Sequence, residues 1–176
     1  MNSTLRILIL IAALCMPPCL AFADYSDLDI SCVTKKLDQK TVTGTAENAV
    51  TVDTEDWVYA VTLQNNTFKD LTNIEVRYII FYKIEALGTV AGTRVGRQAG
   101  VAKIDAVKAH DKVDFQTSAV KLEKQSLKPG MYYPNGGRTA GDAALSGLWI
   151  RIYQNGTMIA EMSRPPALAS KEKWDE

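Results

Sequence analysis

Apolar side chains recur at every second position over most of this chain. That period selects β-strands, because successive strand side chains point to opposite faces. Leu28, Ile30 and Cys32 alternate with Asp29, Ser31 and Val33, and Trp57, Tyr59, Val61 and Leu63 alternate with Val58, Ala60 and Thr62. A third run has Ile74, Val76, Tyr78, Ile80 and Tyr82 on one face. Its other face begins charged, with Glu75 and Arg77, and turns apolar at Ile79 and Phe81. A central strand covered differently along its length would read this way. Val113, Phe115, Thr117 and Ala119 give a further strand. Last come Leu148, Ile150 and Ile152, then Asn155-Gly156, then Met158, Ala160 and Met162. Asn-Gly between alternating runs predicts a tight hairpin, because both residues tolerate positive φ. Pro165-Pro166 ends the last strand, since proline cannot donate to a ladder.

The intervening segments carry weaker patterns. Residues 35–54 are polar and threonine-rich, with a short strand expected around 41–45. Residues 88–100 hold Gly88, Gly92, Gly96 and Gly100 with Arg94 and Arg97 between them. Neither G-x-x-x-x-G-K-[ST] nor G-x-G-x-x-G is present, so a hairpin or edge crossover is expected in place of a phosphate cradle. Residues 104–107 form a short apolar piece, and 110–112 a turn. Charged residues 121–128 are expected to form a loop or short helical turn. Pro129-Gly130 marks a turn, and 134–141, which contains Arg138, has the most flexible composition. About seven short strands without a long helix predict an all-β antiparallel sandwich of immunoglobulin or fibronectin type III kind. A small closed barrel is the alternative. The expected domain spans 24–168, with a charged, frayed tail over 169–176.

The first 23 residues form the three parts of an export signal. Arg6 supplies the positive charge, residues 7–14 the apolar run, and Ala21-Phe22-Ala23 the small-residue cleavage site. Pro17-Pro18 breaks the run well short of the roughly 20 apolar residues a spanning helix needs. Leu14 before Cys15 and Pro18 before Cys19 do not suit lipid attachment. A soluble, periplasmic or extracellular chain beginning at Asp24 is therefore expected.

Cleavage there removes Arg6 from 20 basic residues and leaves all 20 acidic ones. The resulting near-neutral balance argues against nucleic-acid binding. Of three cysteines only Cys32 survives. It is expected as a buried thiol on the first strand, with a disulfide-linked dimer through Cys32 as the alternative.

Catalytic chemistry finds little support in the residues. His110 is the single histidine, in the polar turn Ala109-His-Asp-Lys112. One His and one Cys cannot build a zinc site unaided, and no cofactor motif is present. Ala144-Leu-Ser146-Gly147 lacks the first glycine of a nucleophile elbow. Asp24, Asp27 and Asp29, like Asp53, Glu55 and Asp56, lack calcium-loop spacing. The aromatics offer more. Trp149 and Tyr153 share a strand face with Arg151, and Trp57 shares one with Tyr59. Facing outward, such side chains compose an interface hot spot; facing inward, they fill the core. Asn65 and Asn155 fit the glycosylation pattern and are read as incidental.

Trp57-Val-Tyr-Ala-Val-Thr-Leu-Gln-Asn-Asn66, followed by Leu71-Thr-Asn-Ile-Glu-Val-Arg-Tyr78, resembles an early strand pair of exported bacterial immunoglobulin-like or fibronectin type III-like domains. The closing hairpin, from Gly147 to Tyr153 and from Glu161 to Pro165, is similar to that of secreted bacterial proteins of this class. The resemblance implies a fold and a compartment and brings no catalytic residues. The expected function is a non-enzymatic interaction module of the envelope, meeting another protein. Its candidate contacts are Trp149, Arg151, Tyr153, Arg94, Arg97 and Arg138. Carbohydrate or small-ligand binding is the alternative, and a hydrolase with unmarked carboxylates a third.

Overall fold

The structure is a computed structural model that describes residues 27–43 and 50–174. The export signal lies outside these residues. Eight antiparallel strands follow in order: β1 (Leu28–Thr43), β2 (Val50–Asn65), β3 (Leu71–Glu85), β4 (Arg94–Val107), β5 (Lys112–Gln116), β6 (Val120–Leu127), β7 (Ala140–Gln154) and β8 (Thr157–Arg164). A single helical turn, α1 (Leu168–Lys171), comes after them.

Hydrogen bonding runs along an open path, β1-β2-β6-β7-β3-β4, with β5 beside β2 and β8 beside β7. The β6–β7 link is only two residue pairs long, Gln125–Gly141 and Ser126–Ala140. Around it the path folds into two layers, one of β1, β2, β5 and β6, the other of β4, β3, β7 and β8. This is the expected all-β sandwich, and because the path stays open it is not the closed barrel.

The alternation decides which face of each strand is buried. Tyr59, Val61 and Leu63 of one layer meet Ile74, Val76, Tyr78 and Ile80 of β3 and Leu148, Ile150 and Ile152 of β7. Cys32 lies in the same core and is 5% exposed, so it packs as a small hydrophobe. The Trp57–Tyr59 face also points inward: Tyr59 is buried and Trp57 packs against it. Burial pushes the Tyr59 hydroxyl up to about 12. At the last hairpin Asn155 and Gly156 take φ of 50° and 81°, as the Asn-Gly signal requires.

Four segments depart from expectation. Residues 121–128, expected as loop or helical turn, belong to β6, which pairs along Val50–Trp57 of β2. Val120 and Leu122 enter the core, but the next inward position is Lys124, so the alternation fades where the sandwich opens. The expected short strand at 41–45 is, as far as it is described, the end of β1, which continues past a bulge between Lys36 and Asp38. The glycine-rich stretch is a regular strand over its second half. Gly96 and Gly100 lie opposite Tyr82 and Tyr78, and a Cβ on either glycine would overlap the tyrosine ring. Two glycines four apart share a strand face; here they make room for two large side chains of the neighbouring strand.

The expected strand over 113–119 stops at Gln116. There Thr117, 4% exposed, turns the chain. Its amide donates to the Tyr59 carbonyl at 3.0 Å and its hydroxyl accepts from the Tyr59 amide at 3.0 Å. One threonine thus makes both bonds of a ladder position, and the chain restarts as β6. None of the helices among the described residues is long and apolar enough to cross a membrane.

Candidate functional site

Because Leu148, Ile150 and Ile152 point inward, Trp149, Arg151 and Tyr153 must point outward, onto the exposed side of the β4-β3-β7-β8 layer. The register then sets their neighbours. On β3, Ile79, Arg77 and Glu75 lie opposite Trp149, Arg151 and Tyr153. On β8, Ser163, Glu161 and Met158 lie opposite the same three.

The charges and rings on this face interlock. Glu161 Oε1 accepts from Trp149 Nε1 at 2.8 Å and from Arg151 Nε at 2.7 Å. Burial pushes the Glu161 carboxyl up, but those two hydrogen bonds and the Arg151 charge outweigh it and hold the group below its ordinary value. The Arg151 guanidinium lies 5.1 Å from the Trp149 ring and 4.4 Å from that of Trp174. Arg77 stacks on Tyr153 at 4.6 Å and donates to Glu75 at 2.6 Å. Each cation therefore has both a carboxylate and a ring, which fixes its orientation more firmly than either partner alone.

The tail, expected to be frayed from residue 169, lies on this face through Trp174. Leu168 and Trp174 pack on Ile79, Phe81 and Trp149. Trp174 meets Trp149 edge-on at 5.2 Å. Glu172 pairs with Arg97, whose guanidinium also lies 5.4 Å from the Phe81 ring. Gly147 of β7 supplies the seat: a Cβ there would come within 2.9 Å of Leu168 Cδ2 and 2.8 Å of the Arg164 carbonyl. The physical reason is apolar burial. Ile79 and Phe81 are the two large apolar residues on the outer side of β3, and without the tail they would face water.

Trp149 is consequently outward but only 4% exposed, while the Arg151 side chain is 25% exposed and Tyr153 is half-buried. Exposed apolar side chains flank them: Val101 at 59% on β4 and Met158 at 48% on β8. Of the expected contact residues, the fold brings together Trp149, Arg151 and Tyr153 and, through the tail, Arg97. Arg138 pairs with Glu85 at the end of β3, and Arg94 lies opposite neighbouring Ile84. Those two belong to the loop end of the sandwich, where Arg138 exchanges backbone hydrogen bonds with Gly88 and Thr89.

Arg77, Glu161 and Trp174 complete the cluster and were not singled out from sequence. Trp174 did leave a signal, a large aromatic within an otherwise charged tail.

Two buried polar groups lie at opposite ends of the core. Asn65 is fully buried. Its amide nitrogen donates to the carbonyls of Lys69 at 2.8 Å and of Val107 and Lys108 at 3.1 Å, and its oxygen accepts from Thr67. The side chain is committed to tying two loops together. Glu55, 4% exposed, accepts from Lys36 at 2.7 Å and Trp57 Nε1 at 2.9 Å, with Lys124 at 3.6 Å. The Lys36 bond leads the interactions that hold its carboxyl below the ordinary value. His110 lies in its turn at φ 56°, edge-on to Phe68 at 4.4 Å.

No protein-family model and no curated protein matches this chain. Solved structures similar to it include the X-ray structure of Northeast Structural Genomics Consortium target SoR45, at 8% identity and TM-score 0.32, covering 78% of this chain and 85% of that one. A crystal structure from Akkermansia muciniphila is similar at 9% identity and TM-score 0.29, covering 77% of this chain and 71% of the other.

Proposed function

We propose that this chain is an exported, non-enzymatic binding module that meets another envelope or extracellular protein through the outer face of the β4-β3-β7-β8 layer. The observation that carries the proposal is the interlocked array of Arg77 on Tyr153 and of Arg151 between Trp149 and Trp174, anchored by Glu161. Tryptophan, tyrosine and arginine dominate interface hot spots. A surface whose side chains are already immobilised also loses little entropy when a partner binds. Export is supported by Arg6, the apolar run and Ala21-Phe22-Ala23; the resemblance to exported immunoglobulin-like domains accords with it.

A sugar-binding reading is less well supported, because stacking on a sugar needs an open ring face, and Trp174 and Arg151 cover Trp149 while Arg77 covers Tyr153. A protein partner would instead meet the accessible part of the array, Arg151 with the exposed Val101 and Met158 beside it. The test is capture of a cross-linked partner from the envelope of the chain's own host, using the native chain, Met158→Asp and Arg151→Glu. Met158→Asp alters an exposed side chain on the proposed face and should leave thermal stability nearly unchanged while weakening capture at least about tenfold. Arg151→Glu should weaken capture further and also lower stability, since it sets a second carboxylate beside Glu161. Equal capture by all three would sink the assignment of this face.

A further inference from the structure

Sheet edges expose backbone donors and acceptors that can pair with another strand, and natural proteins usually blunt them. Apart from β5, only 5 residues long beside β2, three edges of this sandwich can be compared. β1 carries Lys35, Lys36 and Lys40 and is broken by the bulge between Lys36 and Asp38. β8 is only 8 residues long, its pairing with β7 is interrupted between Ile152 and Tyr153, and Pro165-Pro166 follows it. β4 also carries charges, Arg94, Arg97 and Lys103, but lacks the bulge, the proline stop and the shortness of the other two. It runs for 14 residues without a proline or register shift, with β3 as its one sheet neighbour among the described residues. Its centre is also pinned, since Gln98 Nε2 donates to Ser118 Oγ at 2.9 Å and to the Ala119 carbonyl at 3.0 Å in the opposite layer.

We propose that β4 pairs antiparallel with β4 of a second copy of this chain, joining two four-stranded layers into one continuous eight-stranded sheet. The strand is complementary to itself. Along β4 the odd-numbered residues face outward, with Val95 at 51% and Val101 at 59% exposed, while Ala102 and Ile104 pack toward the core. A two-fold axis perpendicular to the sheet keeps outward residues opposite outward residues, so facing residue numbers sum to an even value. Centring the axis on Arg97 sets Arg97 against itself, and centring it on Gly100 sets Arg97 against Lys103. Both put like charges directly opposite. Centring on Ala99 places Val95 against Lys103 and Val101 against Arg97. Centring on Gln98 places Val95 against Val101, Arg97 against Ala99 and Gly96 against Gly100. Of these four, the Gln98 register alone matches apolar with apolar and opposes no like charges. A register centred on Val101, which sets Val101 against itself and Arg97 against Asp105, differs from it in that Val101→Cys alone would trap the dimer. The two Arg97 side chains then fall on a diagonal, and each has its own Glu172 as counter-ion.

The test begins with light scattering on the chain produced from its full 176-residue sequence. A concentration-dependent dimer is expected, and a monomer at every concentration would overturn the proposal. Register is read by cysteine trapping. Val95→Cys with Val101→Cys in one chain should give a disulfide-linked dimer on mild oxidation, because directly opposite strand positions lie within bridging range. Either substitution alone should not. A dimer trapped by Val101→Cys alone would overturn the Gln98 register, and a dimer trapped by neither variant would contradict the edge assignment. The charge series is independent of oxidation: Val95→Lys with Val101→Lys should raise the dimer dissociation constant about tenfold, through two symmetry-related repulsive pairs, and Val95→Lys with Val101→Glu should restore it. A dissociation constant indifferent to this series would also overturn the proposal.

Discussion

The two faces of β7 make opposite use of the same backbone. Inward, Leu148, Ile150 and Ile152 are completely buried in an apolar core that ties the layers together. Outward, Trp149, Arg151 and Tyr153 alternate ring, cation and ring, held by Glu161 and Arg77 and partly roofed by a short tail. The inner face needs only apolar volume, so many sequences would satisfy it. The outer face needs particular donors, acceptors and rings in particular places, and that specificity exceeds what holding a sandwich together requires. The proposed binding role rests on that excess order.

Substitutions on the two faces should separate these roles. Ile150→Ala leaves a cavity between the layers and is expected to cost about 2–5 kcal/mol, read as a fall in the denaturation midpoint. Trp174→Ala removes an edge-on ring pair and a cation–ring contact, for about 1–2 kcal/mol. Gly147→Ala should produce a similar loss by unseating Leu168, and a shift in Trp149 fluorescence should accompany both. Indifference to either would mean that the tail contributes nothing to the outer face. Glu161→Gln should cost about 0.5–1 kcal/mol at low salt and less at high salt, because the Glu161 side chain is 36% exposed and screened.

Acid titration compares the charged groups directly. Glu161 and Glu55 both ionise in the folded chain below the ordinary value of 4.5. Their contribution to stability is therefore complete above about pH 4.5 and fades as pH falls through their lower folded values. Glu161→Gln and Glu55→Gln should each flatten the acid limb of a stability–pH curve. Met158→Asp, on an exposed position, should change stability by under about 0.5 kcal/mol.

Much of the fold was legible because alternation is a local property. β2, β3, β7 and the Asn155-Gly156 hairpin show it in consecutive residues. β6 was missed because its third inward position is Lys124, placed where the sandwich opens and the core no longer demands an apolar side chain. The tail was missed for a different reason. Nothing local orders residues 168–174; the order comes from a groove at Gly147, Ile79 and Phe81, which are distant in sequence. For the candidate site, periodicity sufficed to gather Trp149, Arg151 and Tyr153 on one side. Whether that side was core or surface depended on Leu148, Ile150 and Ile152 filling the core, a contest that only packing decides. Arg77 and Glu161 joined through register, which no single segment encodes.

Site-specific photo-crosslinking in the native envelope tests the binding face most directly, with the probe at Met158 on the outer face of β8 or at Ser31 on the outer face of β1. A discrete adduct with one partner protein from Met158, weak or absent from Ser31, is the predicted result. Equal adducts from both positions, or one from Ser31 alone, would contradict recognition through the Trp149–Arg151–Tyr153 face.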